Sequence, residues 1–312
     1  VNDNGKSTIC AQLTANIDLE SKEWTPIGKS TSYAYKGTFD GNSREIKNLY
    51  VTGTTSNHYG LFGVLGAGGT IRNLTVSGRV AITGIGSNSY GIGGIVGQLG
   101  GAGTIENCTN KATVSGNFNT AGIVGRVGSS GGTIRGCANL VDISGSNSVG
   151  GIVGYAYYGV TASHCYNRGA VTASVSKAGG IVGFMDDSGA KFSSCYTTGV
   201  VTAKSEYNPV VGKKSSGSLS SSCYYLDTLG TDSNATAKTS EELKKLAPTL
   251  GDPFMTDPAD VNDGYPIFAW QVPTYAVTFR TGAAGASITV NGVSGQADAD
   301  GKYTVKLPDG TY

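Results

Sequence analysis

Charged residues are scarce in this sequence and nearly balanced in sign. They make up 14% of the 312 residues, with 23 Lys and Arg against 22 Asp and Glu. Proteins that attract nucleic acid or an anionic membrane surface carry a basic excess, so the composition argues against both partners. A run of about 18 apolar residues is also lacking, so neither a spanning helix nor membrane insertion is predicted.

Signals for familiar catalytic and targeting segments are missing as well. The sequence lacks a hydrolase nucleophile elbow, a phosphate-binding loop and a zinc-protease helix. Its first residues lack the basic segment and apolar core of a signal peptide, and its last residues fall within an expected strand. We therefore expect a piece of a longer protein, and we predict no cofactor.

Glycine, in contrast, is abundant and recurs in a fixed register. The chain has 49 Gly, and the tetrapeptide Gly-Ile-Val-Gly is repeated along it. Complete copies lie at 94–97, 122–125, 151–154 and 180–183, and related copies lie at 60–63 and 209–212. The steps between successive copies, counted along the chain, are 34, 28, 29, 29 and 29. A fixed period of this length is the signature of a repeat architecture.

A second series of residues keeps nearly the same spacing. Its members, at successive intervals of 25, 34, 29, 28, 30 and 28, are Leu49, Leu74, Cys108, Cys137, Cys165, Cys195 and Cys223. An Ile stands three positions before each of the first four members, beginning with Ile46. We interpret the five cysteines as one structural ladder, with Leu49 and Leu74 at the equivalent position in the first coils.

Each unit of about 29 residues holds three short apolar runs, which are rich in β-branched residues and bordered by Gly, Asn and Ser. Such runs are typical of strands and are too short for helices. They predict an all-β fold, a right-handed single-stranded parallel β-helix of about seven coils of about 28–30 residues each. A β-propeller is the main alternative, but its blades need four strands and about 40 residues.

The repeated Gly-Ile-Val-Gly units, each followed by an Ile-x-Asn-Cys-like strand, resemble the GLUG repeat of bacterial surface proteins. Segments 24–28, 37–42 and 46–49 resemble the coils that precede such repeats, and segment 262–271 resembles their usual ending. The resemblance covers roughly residues 1 to 272. It implies an extracellular β-helical module, common in adhesin-like proteins and beside the catalytic domains of secreted proteases and glycan-active enzymes. It implies no set of catalytic residues.

Three regions are expected along the chain. Residues 1–226 form the β-helix, with the first coils in 1–60 and the GLUG repeats in 60–226. Residues 227–272 form a C-terminal cap, in which Thr239-Ser240-Glu241-Glu242 is a capping box for a short helix stopped by Pro248. Residues 273–312 hold strands at 275–279, 287–290 and 303–307, and they resemble the start of an Ig-like or carboxypeptidase-regulatory-like β-sandwich.

The cysteines admit three interpretations. A metal site would need cysteines about two residues apart, and no pair is that close. Disulfides are conceivable because six cysteines form an even set, but cysteines stacked about 4.8 Å apart with parallel Cβ vectors suit them poorly. Since Leu occupies the equivalent position in the first coils, we favour a ladder of free thiols that pack as small hydrophobes.

Tyrosines supply the candidate binding residues. Tyr166, Tyr196 and Tyr224 each follow a ladder cysteine in consecutive coils, and Tyr157 lies in an aromatic segment after a Gly-Ile-Val-Gly strand. If the cysteines point inward, alternation along the strand points the next three rings outward, where they suit sugars or partner chains. A cross-strand aromatic ladder that only stabilises the sheet is the alternative.

The sequence thus favours a non-catalytic extracellular module, adhesive or spacing, at the surface of a large multidomain bacterial protein. Its expected partners are host or cell-surface glycans or proteins, and the module is expected to be monomeric. The alternative is an accessory carbohydrate-binding domain of a secreted glycan-degrading enzyme or protease. The least favoured hypothesis is a polysaccharide lyase or hydrolase, for which Asp186 and Asp187 are the candidate acid pair.

Overall fold

A computed structural model gives the fold, and it describes residues 6–55, 57–84, 90–128, 130–220, 222–272, 274–290 and 293–308. The chain divides into two compact units, Val1–Pro253 and Phe254–Tyr312. The first unit is a parallel β-helix. The second unit consists of short antiparallel pairs.

The strands of the first unit are short except in the first coils. In chain order they are β1 Ala11–Gln12, β2 Ile17–Asp18, β3 Thr38–Gly53, β4 Phe62–Leu65, β5 Thr70–Ile82, β6 Ile92–Gly93, β7 Val96–Leu99, β8 Gly103–Ser115, β9 Phe118–Ala121, β10 Val124–Val127, β11 Gly132–Arg135, β12 Ala138–Asn139, β13 Ile143–Gly150, β14 Val153–Ala156, β15 Val160–Ser163, β16 Tyr166–Asn167, β17 Val171–Gly179, β18 Val182–Met185, β19 Lys191–Ser193, β20 Tyr196–Thr197, β21 Val201–Asn208, β22 Val211–Lys214, β23 Ser218–Leu219, β24 Tyr224–Leu226 and β25 Thr236–Lys238.

The Gly-Ile-Val-Gly strands stack directly on one another and form one face of the β-helix. These strands are β4, β7, β10, β14, β18 and β22, and each pair is parallel. Val124 pairs with Val96 on one side and with Val153 on the other, so the partners lie one repeat apart. The predicted parallel β-helix of about seven coils is therefore confirmed.

The cysteine positions from the third repeat onward are also in register. Ala138 pairs with Tyr166, and the backbone N–H of Tyr166 donates to the carbonyl of Cys137 at 3.0 Å. Cys137 and Cys165 therefore lie on adjoining rungs. The same bond recurs one coil on, from Tyr196 to Cys165 at 3.1 Å.

The first coils differ from the predicted register. Leu49 pairs with Gly78, and Ile46 pairs with Val76, so neither residue is equivalent to Leu74 or its preceding Ile. The interpretation of Leu49 as a ladder member is wrong. The physical reason is that β3 carries extra residues opposite β5, which shift the pairing between Asp40 and Arg44.

Glycine in the repeated tetrapeptide is required by the space around it. A Cβ at Gly122 would clash with the side-chain oxygen of Asn139, and a Cβ at Gly125 would clash with the backbone of Ile92. The Ile and Val between them, Ile123 and Val124, are fully buried in the apolar core. The motif therefore combines two aliphatic core residues with two positions where other chain segments come into close contact.

Two short helices follow the last coils. The first is α1 Ser240–Lys244, and the predicted capping box is present, with the Thr239 hydroxyl accepting from the N–H of Glu242. The second is α2 Ala247–Leu250, which has Pro248 in its first turn, so Pro248 lies in a second helix rather than only ending the first. Among the described residues, neither helix is long or apolar enough to cross a bilayer.

A buried aspartate covers the backbone edge of the last Gly-Ile-Val-Gly-like strand. Asp232 Oδ2 accepts hydrogen bonds from the N–H groups of Val210 and Val211, both at 3.0 Å. One coil earlier, the N–H groups of Ile181 and Val182 donate to a carbonyl of the following coil. The Asp232 carboxylate thus replaces the carbonyl that a further coil would supply, and it satisfies two edge donors.

The described residues of the second unit form three antiparallel pairs. They are β26 Phe254–Met255 with β27 Ile267–Phe268, β28 Thr274–Arg280 with β31 Lys302–Pro308, and β29 Ser287–Val290 with β30 Val293–Gln296. The three predicted strands are present, with β30 as an addition. The Asn291-Gly292 pair, whose residue types indicate a turn, lies outside the described residues. The Ig-like assignment and the predicted limits at 226 and 272 remain predictions.

Candidate functional site

The three tyrosines that follow ladder cysteines do not face solvent. Tyr166, Tyr196 and Tyr224 are 1%, 0% and 8% exposed. The rings of Tyr166 and Tyr196 stack with centroids 5.0 Å apart and planes 2° apart. The prediction of an exposed tyrosine face is therefore wrong, and the geometry is that of an aromatic ladder that stabilises adjoining coils.

The physical reason is a cover that the repeat pattern does not reveal. Cys165 and Asn167 are interior, so alternation places Tyr166 between them on the outer side of the strand. On that side, α1 packs against β24, which begins at Tyr224. Burial and Arg135 lower the pKa of His164, and Asp252 opposes that shift, so Asp252 also lies near this face.

Tyr157 is the one predicted binding residue that is exposed, at 41%. The guanidinium of Arg126 lies over its ring, 4.8 Å from the centroid. The ring of Tyr158, also 41% exposed, meets it edge-on at 4.8 Å, and the ring of Tyr155 lies 5.3 Å away. Tyr157 therefore remains a candidate, within a cluster of aromatic and cationic side chains.

This cluster belongs to a row of side chains on the Gly-Ile-Val-Gly face. Each member follows the second glycine of a repeat and pairs with the next through the parallel strands. The members, which we call the outer row, are Arg126, Tyr155, Phe184 and Lys213. Tyr155 and Phe184 stack at 5.0 Å and 3°, and the ammonium of Lys213 lies 5.8 Å from the Phe184 centroid. The row thus places cations at both ends of an aromatic pair.

A second row runs beside the first, where the chain turns before each repeat. Its members, which we call the corner row, have left-handed backbone conformations and are Asn119, Ser148, Lys177 and Glu206. The ammonium of Lys177 lies 4.3 Å from the Phe184 centroid. A cleft of about 110 Å³ lies between the rows, lined by Phe118, Asn119, Asn147, Ser148, Tyr155, Lys177 and Phe184.

Carboxylates near the cleft are already engaged. The Tyr155 hydroxyl donates to Asp186 Oδ2 at 2.9 Å, and burial and this carboxylate raise the pKa of Tyr155. Asp187 accepts from the N–H of Gly189 at 2.7 Å, as expected for a turn. Asp186 and Asp187 therefore bond to different neighbours, and within the described ranges no group of three metal-binding side chains occurs.

The cysteine ladder is part of the apolar core. All six cysteines are free thiols, and the five ladder cysteines are fully buried while Cys10 is exposed. Burial raises the pKa of Cys137, and its thiol lies between those of Cys108 and Cys165. A buried thiol with a raised pKa is a poor nucleophile, so the ladder is chemically inert.

A ladder of buried amides was missed by the sequence reasoning. Asn110 Nδ2 donates to Asn139 Oδ1 at 2.8 Å, and Asn139 Nδ2 donates to Asn167 Oδ1 at 2.7 Å. The ladder ends where Asn167 donates to the Thr197 hydroxyl at 3.2 Å. The available signal was an Asn or Thr two positions after each of the first four ladder cysteines. Because these bonds link coils through the interior, the role of the amides is structural.

Comparisons with known proteins agree with this architecture. The profile of the GLUG motif matches residues 88–115. Halomucin from Haloquadratum walsbyi is 35% identical over 128 residues, which is 38% of this chain and 1% of halomucin. A protein of Evansella cellulosilytica, named as a candidate Gly-rich membrane protein, is 38% identical over 66 residues, 21% of this chain and 8% of the relative. The chain thus spans only a small part of these curated relatives.

A solved structure shares the fold over most of the chain. It is a crystal structure from Bacteroides ovatus, of a protein named as a candidate immunoglobulin A1 protease. The two superpose with a TM-score of 0.68 and 25% sequence identity, over 85% of this chain and 86% of the other. The chain therefore carries the GLUG motif within a parallel β-helical module.

Proposed function

We propose that the chain is a non-catalytic extracellular module, adhesive or spacing, of a large multidomain surface protein of bacterial type. The observation that carries this proposal is the unbroken parallel stacking of coils, which leaves variable side chains such as those of the outer row on a regular lateral face. Each coil adds about 4.8 Å of length, so repetition extends both reach and binding area. The candidate partners are glycans or proteins of host or bacterial cell surfaces, bound by a monomeric module.

The names of the two relatives support this proposal. One relative is named halomucin and the other a Gly-rich membrane protein, and the matched segment is a small part of each. The GLUG motif match supports the same placement. The name of the structural neighbour favours the alternative, in which the module accompanies a secreted protease or glycan-degrading enzyme and contacts its substrate.

The decisive experiment combines location and attachment. Antibodies against the chain should label intact cells that produce the parent protein, and beads coated with the chain should attach to glycan-coated or host-cell surfaces. Labelling only after lysis contradicts the surface placement. Attachment no better than that of albumin-coated beads removes the adhesive role and leaves the spacing role.

A second assay tests the absence of catalysis. The chain is incubated with neutral and acidic polysaccharides and with immunoglobulin A1, and products are followed by size. No turnover is expected, because Asp186 and Asp187 bond to different neighbours rather than to a shared substrate position. Turnover that is lost in the Asp186→Asn, Asp187→Asn double variant contradicts the proposal.

A further inference from the structure

We propose that the cleft between the outer row and the corner row binds an acidic glycan, a saccharide chain that carries carboxylate or sulfate groups. This inference rests on the proposed function, since it names the ligand class of the module's lateral face. The residues that carry it are Arg126, Lys177, Tyr157 and the cleft-lining Asn147.

Two cations lack a carboxylate partner among the described residues: Lys177, which lines the cleft, and Arg126, which pairs with the cleft-lining Tyr155. Lys213 pairs with Glu206 at 2.7 Å, whereas no ion pair is formed by Arg126 or Lys177 within that part of the chain. Arg126 is only partly exposed, its Nη1 donates to Gln98 at 3.0 Å, and its buried Nε has no hydrogen-bond partner. A half-buried guanidinium without an ion-pair partner is suited to a carboxylate or sulfate group.

Aromatic and polar side chains around these cations favour a saccharide. Tyr157 and Tyr158 expose two-fifths of their surface, and aromatic rings with a polar tip pack well against the apolar faces of sugars. Asn147 lines the cleft and is partly exposed. Its Nδ2 donates to the Ser176 hydroxyl at 2.9 Å, which leaves its second amide N–H for a sugar hydroxyl, whereas the buried Ser148 hydroxyl donates to Asn147 Oδ1 at 3.0 Å. The stacked rings of Tyr155 and Phe184 cover each other's faces, so the exposed tyrosines are the platform.

An acidic peptide fits this face less well. Extended peptides commonly bind by pairing with an unpaired strand edge. The strands that line the cleft, β9, β13, β14, β17 and β18, are each paired on both sides. The face therefore offers side chains but no backbone edge, which favours a ligand that is recognised through hydroxyl and acidic groups.

The size of the cleft sets how much of the ligand enters it. Its volume of about 110 Å³ corresponds to about four water molecules at roughly 30 Å³ each. That space admits one carboxylate or sulfate group, while the sugar rings lie outside, against the exposed tyrosines. Successive acidic groups along a chain can then contact Arg126 and Lys177, which lie on rungs about 10 Å apart.

The test is direct binding of the full chain to immobilised glycans. The probes are heparin and chondroitin sulfate for sulfate groups, hyaluronan and polygalacturonate for carboxylates, dextran as a neutral chain and polyglutamate as an acidic peptide. Binding to at least one acidic glycan is expected, and it should weaken as salt rises because the attraction is electrostatic. Arg126→Gln and Lys177→Gln should each weaken binding about tenfold, as expected for a lost charged hydrogen bond.

Matched variants separate a site from a general charge effect. Lys191→Gln removes the same charge from β19, on another face, and should leave binding unchanged. Lys177→Arg keeps the charge and should retain binding, and circular dichroism should show that all variants fold. Equal binding to dextran, stronger binding to polyglutamate, no binding to any acidic glycan, or equal losses in Lys191→Gln and Arg126→Gln would overturn the inference. None of these results bears on cell-surface labelling, so the proposed function is judged separately.

Discussion

Mild acid should destabilise the β-helix through a single buried histidine. His58 is 5% exposed, and its Nδ1 accepts the N–H of Gly91 at 3.1 Å, so the ring is held in the neutral form. Its ring lies 5.4 Å from that of Tyr90. Burial, together with the nearby charge of Arg126, lowers the pKa of His58 from 6.5 to about 4.

The sign and size of the effect follow from this depressed pKa. As the pH falls through about 6.5, the unfolded chain takes up a proton at His58, while the folded chain does so only near pH 4. The stabilisation that neutral His58 contributes is therefore fully present above pH 6.5, is lost as the pH falls from 6.5 to 4, and changes little below pH 4. A pKa lowered by this much corresponds to about 3 kcal/mol in total, of which about 2 kcal/mol is lost by pH 5.

The assay is urea denaturation of the chain at steps between pH 7 and pH 4.5. His58→Asn should flatten the dependence, because an amide oxygen can accept the Gly91 N–H but takes up no proton. His164→Asn is the matched control. It removes the other histidine, whose lowered pKa belongs to a more exposed ring, and asparagine tolerates its left-handed backbone at φ 53°. Equal slopes in the wild type and His58→Asn would refute the reasoning.

Three further perturbations test the ladders and the cap. Asn139→Ala removes the donor to Val141 O and Asn167 Oδ1. This change should lower the free energy of unfolding, measured in urea, by roughly 2–5 kcal/mol. Asn139→Thr should lower it less, because threonine occupies the equivalent position two coils on. A loss below about 1 kcal/mol for the alanine variant contradicts the amide ladder. In Asp232→Asn, an amide N–H₂ group must point at backbone N–H groups that already donate to the carboxylate. Hydrogen exchange at residues 210 and 211 should therefore speed up, while residue 153 stays protected. Unchanged exchange at residues 210 and 211 contradicts the proposed role of Asp232 as a cap. A thiol reagent should label Cys10 alone in the folded chain and all six cysteines in denaturant, since the other five are buried; a second fast thiol, or a missing one in denaturant, contradicts the free-thiol ladder.

Much of the fold could be predicted because the spacing of the repeated residues follows from the packing of the core. The spacing of Val96, Val124, Val153, Val182 and Val211 in the sequence is the register of the parallel strands. Each side chain stacks on its equivalent one coil away, so a constant interval is a direct geometric consequence. This reasoning gave a wrong assignment for Leu49 in the first coils, where the interval from Leu49 to Leu74 is shorter than all the later intervals.

The burial of the tyrosines could not be predicted from the repeat. Alternation correctly places Tyr166 and Tyr196 opposite the interior cysteine and asparagine positions, but it does not tell what lies beyond that face. Part of the cover comes from α1, which contacts β24 and β25. A constant period carries no information about a segment that occurs once.

The candidate site lies at positions where the residue type does not repeat. Positions fixed by the core repeat the same residue type, whereas the outer row and its preceding equivalent read Gln98, Arg126, Tyr155, Phe184 and Lys213. Nothing in the backbone or the core requires this variation, because side chains there point away from the interior. A repeat protein acquires specificity at such unconstrained positions, since substitutions there change the surface without changing the coil. We therefore expect a ligand to bind at the non-repeating residues of the repeating coils. In this chain those residues combine exposed tyrosines with cations that lack carboxylate partners in the described part of the chain.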